Sequence, residues 1–215
     1  MNAPLIPINS GGSITLEIIE ERALENIDLL DAIGVTGGEP GLQQEPIIEL
    51  FSWAKSNGIK TFLNTNGSNS KLIDELLSRD ILDHIAIDVK APLRQEVYGK
   101  VIGLKDGIDR IIKEIRKSLE ICRKSSLSVE IRTTVVPTLI DDERFILEVA
   151  KFVKDYCTSY VIQQYFPFKE VLDKRLRSVQ PPSRVTLAKL ALSSLQEGVK
   201  EVYIRTRKHG MERIG

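Results

Sequence analysis

Val35-Thr36-Gly37-Gly38-Glu39-Pro40-Gly41 is a glycine-rich stretch that directly follows a short apolar run, residues 32–35. The apolar run predicts a buried strand and the residues from Gln43 onward predict a helix, so the stretch is predicted to be a strand-to-helix loop. Its glycines let the backbone turn tightly and approach a ligand closely, because no Cβ stands in the way. The loop holds one carboxylate, that of Glu39. By itself the pattern also fits an ordinary turn with a surface glutamate.

Composition restricts the class of protein. The chain has 215 residues, with 30 basic and 30 acidic side chains, so no overall charge favours a nucleic acid or an anionic membrane as a partner. The longest apolar runs are far shorter than a membrane span, and the first residues lack the features of a signal peptide. Only Cys122 and Cys157 are present, which excludes a disulfide framework and predicts a reducing, cytoplasmic location. The two histidines, His84 and His209, are too far apart in the sequence to indicate a zinc site.

Strand and helix patterns alternate outward from the glycine-rich loop. This alternation predicts a parallel sheet with right-handed crossovers, and no linker interrupts it, so residues 1–215 are predicted to form a single domain. A partial TIM-type barrel fits better than a dinucleotide-binding sheet, because no G-x-G-x-x-G follows the first strand and polar residues end nearly every strand. The predicted strands are 32–35, 59–63, 84–89, 127–136, 160–164 and 199–204. The predicted helices are 15–30, 44–56, 70–78, 107–124, 141–156 and 183–196, with loops at 1–13, 90–106 and 166–182.

The strand ends carry the candidate site, because ligands of parallel α/β proteins bind at the carboxyl ends of the strands. In chain order these ends are Gly37-Gly38-Glu39, Asn64-Thr65-Asn66-Gly67-Ser68, Asp88-Val89-Lys90, the strand with Glu130, Arg132 and Thr134 on one face, and Gln163-Gln164-Tyr165.

Each of these ends has a structural alternative when it is taken singly. Asn66-Gly67 is a common turn sequence, and Asp88 with Lys90, or Glu130 with Arg132, could be an internal ion pair. Five polar strand ends in succession are harder to explain by structure alone. Together they predict one pocket for a ligand with ammonium, carboxylate and hydroxyl groups, and an amino acid joined to a nucleoside satisfies that description.

Five segments in this order resemble radical S-adenosylmethionine (SAM) enzymes, most closely the activating proteins of anaerobic ribonucleotide reductases and other glycyl-radical enzymes. The segments are VTGGEPGLQ (35–43), FLNTNGS (62–68), HIAIDVKAPL (84–93), EIRTTVVP (130–137) and VIQQYFP (161–167). The resemblance implies a partial (β/α)6 barrel in which a 4Fe-4S cluster cleaves SAM reductively to a 5′-deoxyadenosyl radical. It also implies a glycyl-radical enzyme as partner and an electron donor such as flavodoxin or ferredoxin.

The resemblance assigns roles residue by residue. Gly37, Gly38 and Glu39 match the segment that binds the methionine ammonium, with Glu39 expected to hold it, and Thr65 and Asn66 match the segment beneath SAM. Asp88 and Lys90 match a D-x-K segment that contacts the ribose and the SAM carboxylate. Arg132 and Gln164 lie on later strands that face the cofactor. Some relatives have Asp where this chain has Asn64, which weakens the case for the cation site that this Asp helps to form.

One departure from the family concerns the cluster. The three cysteines of its C-x3-C-x2-C motif are absent, and Cys122 and Cys157, both predicted on helices, cannot replace thiolates that must gather in one loop. The hypothesis is that this chain lacks the first strand and the cluster loop of the barrel, because the start codon is misplaced or the chain is truncated. The chain as written is then expected to be inactive. In-frame codons upstream of Met1 that encode no such motif would exclude this hypothesis.

Several functional readings remain open at this point. The first is a radical SAM activase whose partner is an anaerobic ribonucleotide reductase, as the runs RTTVVP and QQYFP favour. The second is a cluster-less module that binds SAM or a nucleotide, and the third is a non-functional fragment. A radical SAM enzyme that acts on a small molecule such as a pterin could carry the same pocket.

Overall fold

Six parallel strands and one antiparallel strand form a single sheet in a computed structural model of the chain, which describes residues 14–169, 171 and 173–215. The prediction about residues 1–13, a loop, lies outside the described residues. The strands are β1 (Ala32–Val35), β2 (Lys60–Thr65), β3 (His84–Asp88), β4 (Ser128–Val135), β5 (Ser159–Gln164), β6 (Val202–Thr206) and β7 (Gly210–Arg213).

Seven α-helices lie between or beside these strands in the described part of the chain. None of them combines the length and the apolarity that a membrane-spanning segment requires. The helices are α1 (Leu16–Leu24), α2 (Gln44–Ser56), α3 (Ser70–Ser78), α4 (Gln95–Ile102), α5 (Ile108–Arg123), α6 (Glu143–Val153) and α7 (Arg184–Gln196).

The strand order follows the chain without a reversal, from β1 to β7, and all pairs from β1 to β6 are parallel. Crossovers of one hand between successive neighbours place the helices on the same side of the sheet. The sheet therefore curls into a half barrel and has no switch point of the dinucleotide-binding kind. The predicted partial TIM-type barrel is confirmed.

The two faces of the sheet differ in chemistry. Ile87 of β3 pairs with Ile131 of β4, and both side chains are fully buried under the helices. The next pair in the register, Asp88 and Arg132, points to the opposite face, because side chains alternate along a strand. The helix-covered face thus holds the apolar core, whereas the concave face carries polar and charged groups.

Two elements were not predicted from the sequence. The connection after β3 was predicted as a loop but contains α4, which buries Tyr98 (1% exposed) and is capped by Gly103 with φ +75°. The strand β7 pairs with β6, but its four residues are mostly exposed and so leave no alternating pattern in the sequence.

Some predicted boundaries also differ from the structure. The first helix was predicted to reach residue 30 but ends at Leu24, and a short 3₁₀ turn, Ile27–Leu29, follows it. Ile27 belongs to the apolar stripe that predicted the longer helix, but it is 37% exposed, so the stripe is not a buried face there. The last parallel strand begins at Val202 rather than at residue 199. The predicted irregular segment 166–182 includes a 3₁₀ turn, Lys174–Ser178.

Candidate functional site

The predicted site residues lie at one edge of the sheet, where the parallel strands have their carboxyl ends. The uninterrupted strand order places them side by side in the order in which they occur in the chain. The residues are Gly37, Gly38 and Glu39 after β1, Thr65 and Asn66 at the end of β2, Asp88 and Lys90 at β3, Arg132 in β4 and Gln164 in β5.

The Glu39 carboxylate joins the first two strand ends. One oxygen, Oε1, accepts hydrogen bonds from the Gly41 backbone N–H (3.0 Å) and the Thr65 hydroxyl (2.6 Å). The other, Oε2, accepts from the Asn66 backbone N–H (2.9 Å). The Thr65 hydroxyl oxygen in turn accepts from the Gly67 N–H at 3.1 Å. Glu39 therefore fixes its own loop to the end of β2, a structural role that the sequence did not reveal.

The turn after β2 requires glycine at its tightest point. Gly67 has φ +74°, and a Cβ built on it would lie 2.9 Å from the Ile87 side chain. The Gly67 carbonyl accepts a 2.8 Å hydrogen bond from the buried Ser118 hydroxyl of α5. Gly37 differs from Gly67, because it has φ +137° but, among the described residues other than its chain neighbours, no atom within 4 Å of a Cβ built on it. A side chain at Gly37 is therefore disfavoured by the backbone conformation and not by a close contact in that part of the chain.

The two cations predicted from the sequence, Lys90 and Arg132, are held in ion pairs. Lys90 Nζ lies 3.0 Å from Asp88 Oδ2, and each side chain is about one third exposed (33% and 34%). Arg132 donates to Glu130 through a short contact, and both of these side chains are largely buried. The sequence analysis left open that Asp88 with Lys90, and Glu130 with Arg132, form internal ion pairs, and the structure contains both pairs. These ion pairs are compatible with ligand binding, because a ligand carboxylate can replace the protein carboxylate or bind beside it.

An aromatic pair supports Arg132 on the concave face. The Phe62 and His84 rings lie 5.1 Å apart, and the Arg132 guanidinium carbon is 5.7 Å from the Phe62 ring centroid. Burial lowers the pKa of His84, and the Arg132 charge lowers it further against the opposing effect of Glu130. The lowered pKa favours the neutral form of His84, and Arg132 is held by an anion and a ring together.

A cavity of about 590 Å³ opens beside these strand ends, a size typical of small-molecule sites. Four of the predicted residues line it, namely Asp88, Lys90, Arg132 and Gln164. The loop around Glu39 and the end of β2 do not line it, although they lie along the same edge. The structure thus separates the predicted residues into a hydrogen-bonded group at β1 and β2 and a cavity-lining group from β3 to β5.

Two glutamines at the end of β5 have different roles. The Gln164 amide donates to the Pro182 carbonyl (2.8 Å) and its oxygen accepts from the Arg207 N–H (3.0 Å). Gln163 pairs in the register with Arg205, on the face that carries Arg132, and accepts from the Thr134 hydroxyl. The sequence analysis named Gln163 only as part of the strand end, assigned the cofactor contact to Gln164 and missed Arg205, although the period-two alternation along the strands was a signal for Gln163 and Arg205. A cofactor contact by Gln164 stays a prediction.

The thiols do not fit an iron-sulfur cluster. Cys122 is buried in α5, whereas Cys157 is half-buried after the end of α6, so the expectation that both thiols lie on helices is wrong for Cys157. Burial raises the pKa of each thiol to about 12, which disfavours the thiolate that iron requires. Among the described residues no group of three or more His, Cys, Asp or Glu side chains could hold a metal ion.

Comparison with known protein families and sequences gives several matches. A model described as the radical SAM superfamily matches residues 6–150. A Methanocaldococcus jannaschii protein, to which the activity of a glycyl-radical enzyme activating enzyme is ascribed, is 36% identical over 188 residues, covering 86% of this chain and 76% of that protein. The pyruvate formate-lyase 1-activating enzyme of Escherichia coli is 25% identical over 91% of this chain and 79% of its own length. A 7-carboxy-7-deazaguanine synthase from Thermococcus kodakarensis is 31% identical over 101 residues, 46% of this chain and 39% of that enzyme.

Solved structures share the fold at low sequence identity. A radical SAM methyltransferase from Sphaerobacter thermophilus superposes with a TM-score of 0.67 at 15% identity, over 86% of this chain and 53% of that one. Streptococcus suis SuiB gives a TM-score of 0.63 at 14% identity, over 91% of this chain and 44% of its own. The chain therefore spans about half the length of these two structures.

Proposed function

The chain belongs to the radical SAM superfamily, and from that premise we propose that it is an activating enzyme that uses SAM to generate a glycyl radical on a partner enzyme. The observation that carries the proposal is its 36% identity to the Methanocaldococcus jannaschii protein over 86% of the chain. Enzymes of this superfamily use SAM together with a 4Fe-4S cluster, which supplies the electron for the reductive cleavage of SAM.

The polar groups at the sheet edge fit SAM. We propose that the Gly37–Glu39 loop binds the methionine ammonium and that Lys90, with Arg132 behind it, binds the methionine carboxylate. Asp88 has the acceptor oxygens that ribose hydroxyls need. The two ion pairs, Asp88–Lys90 and Glu130–Arg132, offer groups of both signs, which suits the ammonium and carboxylate of the methionine part of SAM.

The residues of this chain do not fit the cluster, since Cys122 is buried, Cys157 is half-buried, and burial raises the pKa of both thiols to about 12, so that both are protonated at neutral pH. We therefore propose that these 215 residues bind SAM but do not cleave it by themselves. For the complete system we propose flavodoxin or ferredoxin as the electron donor. We propose an anaerobic ribonucleotide reductase as the partner enzyme, because the sequences of segments 130–137 and 161–167 resemble those of its activating proteins.

SAM binding measured by calorimetry tests the site. Replacing Lys90→Gln removes the cation proposed for the SAM carboxylate and leaves Asp88 without its partner, so we expect an affinity at least about tenfold weaker, which corresponds to about 1.4 kcal/mol. Lys100→Gln is the matched control, since Lys100 is exposed on α4 and does not line the cavity. Equal SAM affinity in the two variants would refute the pocket assignment.

The partner is tested separately by binding of the SAM-loaded chain to immobilised anaerobic ribonucleotide reductase and to pyruvate formate-lyase. We expect tighter binding to the reductase. Preference for the lyase would keep the activating function but change the partner, and binding to neither would contradict the activating function.

A second candidate is a radical SAM enzyme that acts on a small molecule. The 31% identity to a 7-carboxy-7-deazaguanine synthase favours it, although that match covers only 101 residues. Retained SAM binding without affinity for either glycyl-radical enzyme would support this candidate.

A further inference from the structure

Two arginines form the wall of the cavity at its β6 side. Arg205 lies in β6 and pairs in the register with Gln163, which places it on the concave face of the sheet. Arg207 follows two residues later, in the turn just beyond the end of the strand. Both line the cavity of about 590 Å³. They come after residue 150, outside the segment that matches the superfamily model.

The second of these arginines is held in place before any ligand binds. Its backbone N–H donates to Gln164 Oε1 at 3.0 Å, and Gln164 Nε2 donates to the Pro182 carbonyl at 2.8 Å. Its guanidinium carbon lies 4.0 Å from the centroid of the Phe166 ring. This stacking restricts the long side chain of Arg207 and leaves the edge of the guanidinium available to an acceptor.

The charges around the cavity are not balanced at this wall. In residues 14–169, 171 and 173–215, Lys90 and Arg132 each have a carboxylate partner, whereas Arg205 and Arg207 have none within salt-bridge distance. Asp88 is the one acidic side chain among the described lining residues, and Lys90 already pairs with it. The β6 wall therefore carries two positive charges without counterions from that part of the chain.

Apolar side chains face the cavity next to this basic wall. They include Val136 and Leu139 after β4, and Phe168 and Leu176 of the segment before α7. Tyr165 donates to the Leu176 carbonyl at 3.1 Å and so holds that segment against the cavity. A ligand that fills this part of the cavity needs an apolar body and an anionic group at one end.

We propose that Arg205 and Arg207 form a subsite for a carboxylate or phosphate group of a second ligand, whose apolar part packs against Leu139 and Leu176 beside the SAM site. Guanidinium groups bind these planar or tetrahedral oxyanions through paired hydrogen bonds, which ammonium groups do not match. This subsite proposal depends on the proposed function in one respect, namely that SAM binds near Lys90. A carboxylate would come from an acidic residue or the terminus of a peptide, and a phosphate from a nucleotide.

Ligand-observed NMR on the whole chain, with and without saturating SAM, tests the subsite. The probes are phenylacetate and phenyl phosphate, with phenylacetamide as the neutral match. We expect the anions to bind more tightly than the amide, and the preferred anion identifies the source. The double variant Arg205→Gln/Arg207→Gln should lose about tenfold in anion affinity, the effect of one charge-assisted contact.

The control is Lys200→Gln/Lys208→Gln, which removes two exposed positive charges that do not line the cavity and should leave binding unchanged. Equal binding of the amide, no binding of either anion, or equal losses in both double variants would overturn the proposal. Competition between the anions and SAM would also overturn it, because the arginines would then belong to the SAM carboxylate site. If SAM does not bind but the anion preference persists, the proposed function fails and the subsite stands.

Discussion

Replacing Glu39 tests the central contact of the site. The Glu39 carboxylate accepts three hydrogen bonds, from Gly41, Thr65 and Asn66, which tie the glycine-rich loop to the end of β2. A net contribution of about 1 kcal/mol for each bond predicts that Glu39→Ala lowers the free energy of unfolding by about 3 kcal/mol. Glu39→Gln keeps an acceptor oxygen for Gly41 and Thr65 but turns an N–H toward the Asn66 N–H, so we expect a loss of about 1 kcal/mol.

Urea denaturation at neutral pH measures these changes, provided that the dependence of the free energy on urea concentration is the same for all variants. Glu49→Ala is the control, because Glu49 is exposed on the neighbouring helix α2 and its loss should change stability by no more than about 0.5 kcal/mol. A Glu39→Ala protein as stable as Glu49→Ala would refute the bracing role.

SAM affinity of the same variants separates bracing from direct contact. If Glu39 acts only as a brace, the affinity should fall with stability, little in Glu39→Gln and at least about tenfold in Glu39→Ala. If its carboxylate also holds the ammonium, Glu39→Gln should lose about tenfold in affinity while its stability falls by only about 1 kcal/mol. Unchanged affinity in both variants would contradict the placement of SAM at this loop.

Two further predictions concern stability. Gly67→Ala should lower the free energy of unfolding by about 2–4 kcal/mol, because residue 67 combines a positive φ with a close contact to the Ile87 side chain. Gly58→Ala is the control, because Gly58 has a similar φ of +73° but no described atom near a Cβ, and it should cost only about 1 kcal/mol in the same denaturation assay. Equal losses would contradict the steric argument. Burial raises the pKa of Asp83, but the hydrogen bonds from Lys55 (2.7 Å) and the Thr61 N–H (2.8 Å) outweigh it and lower the pKa below its ordinary value of 3.8. Because the folded pKa is depressed, this stabilisation is present above the unfolded pKa and is lost as the pH falls through the folded one. Asp83→Asn should therefore be less stable than the wild type by about 1–2 kcal/mol at pH 7, with a difference that shrinks below about pH 4, and a difference independent of pH would exclude the ion pair as its cause.

The architecture could be predicted from the sequence because it depends on patterns that each segment carries. Apolar runs of four to eight residues alternate with helical stripes, and burial of those side chains against one another is what makes a parallel sheet with covering helices stable. The same patterns located the strand ends, so Glu39, Asp88 and Arg132 were predicted at one edge of the sheet without knowledge of their neighbours.

The hydrogen-bond partners could not be predicted in this way. Which donors Glu39 accepts from depends on how the end of β2 lies beside the glycine-rich loop, and Thr65 is 26 positions away in the chain. Gln163 lies beside Arg205 in the sheet, whereas Gln164 accepts a hydrogen bond from the Arg207 backbone N–H. These different contacts depend on which face of β5 each glutamine occupies. A one-residue shift exchanges these roles without changing the local composition.

The sequence by itself therefore determined the fold class, the edge of the sheet that carries the site and the residue types gathered there, because periodicity and strand order follow from local burial. Only the tertiary structure decided that Glu39 braces two loops, that Lys90 and Arg132 are already paired, and that Arg205 and Arg207 complete a basic wall. The physical reason is that hydrogen bonds and ion pairs act over about 3 Å, whereas the groups that form them are far apart in the chain. Their partners are therefore set only when the folded sheet brings those groups together.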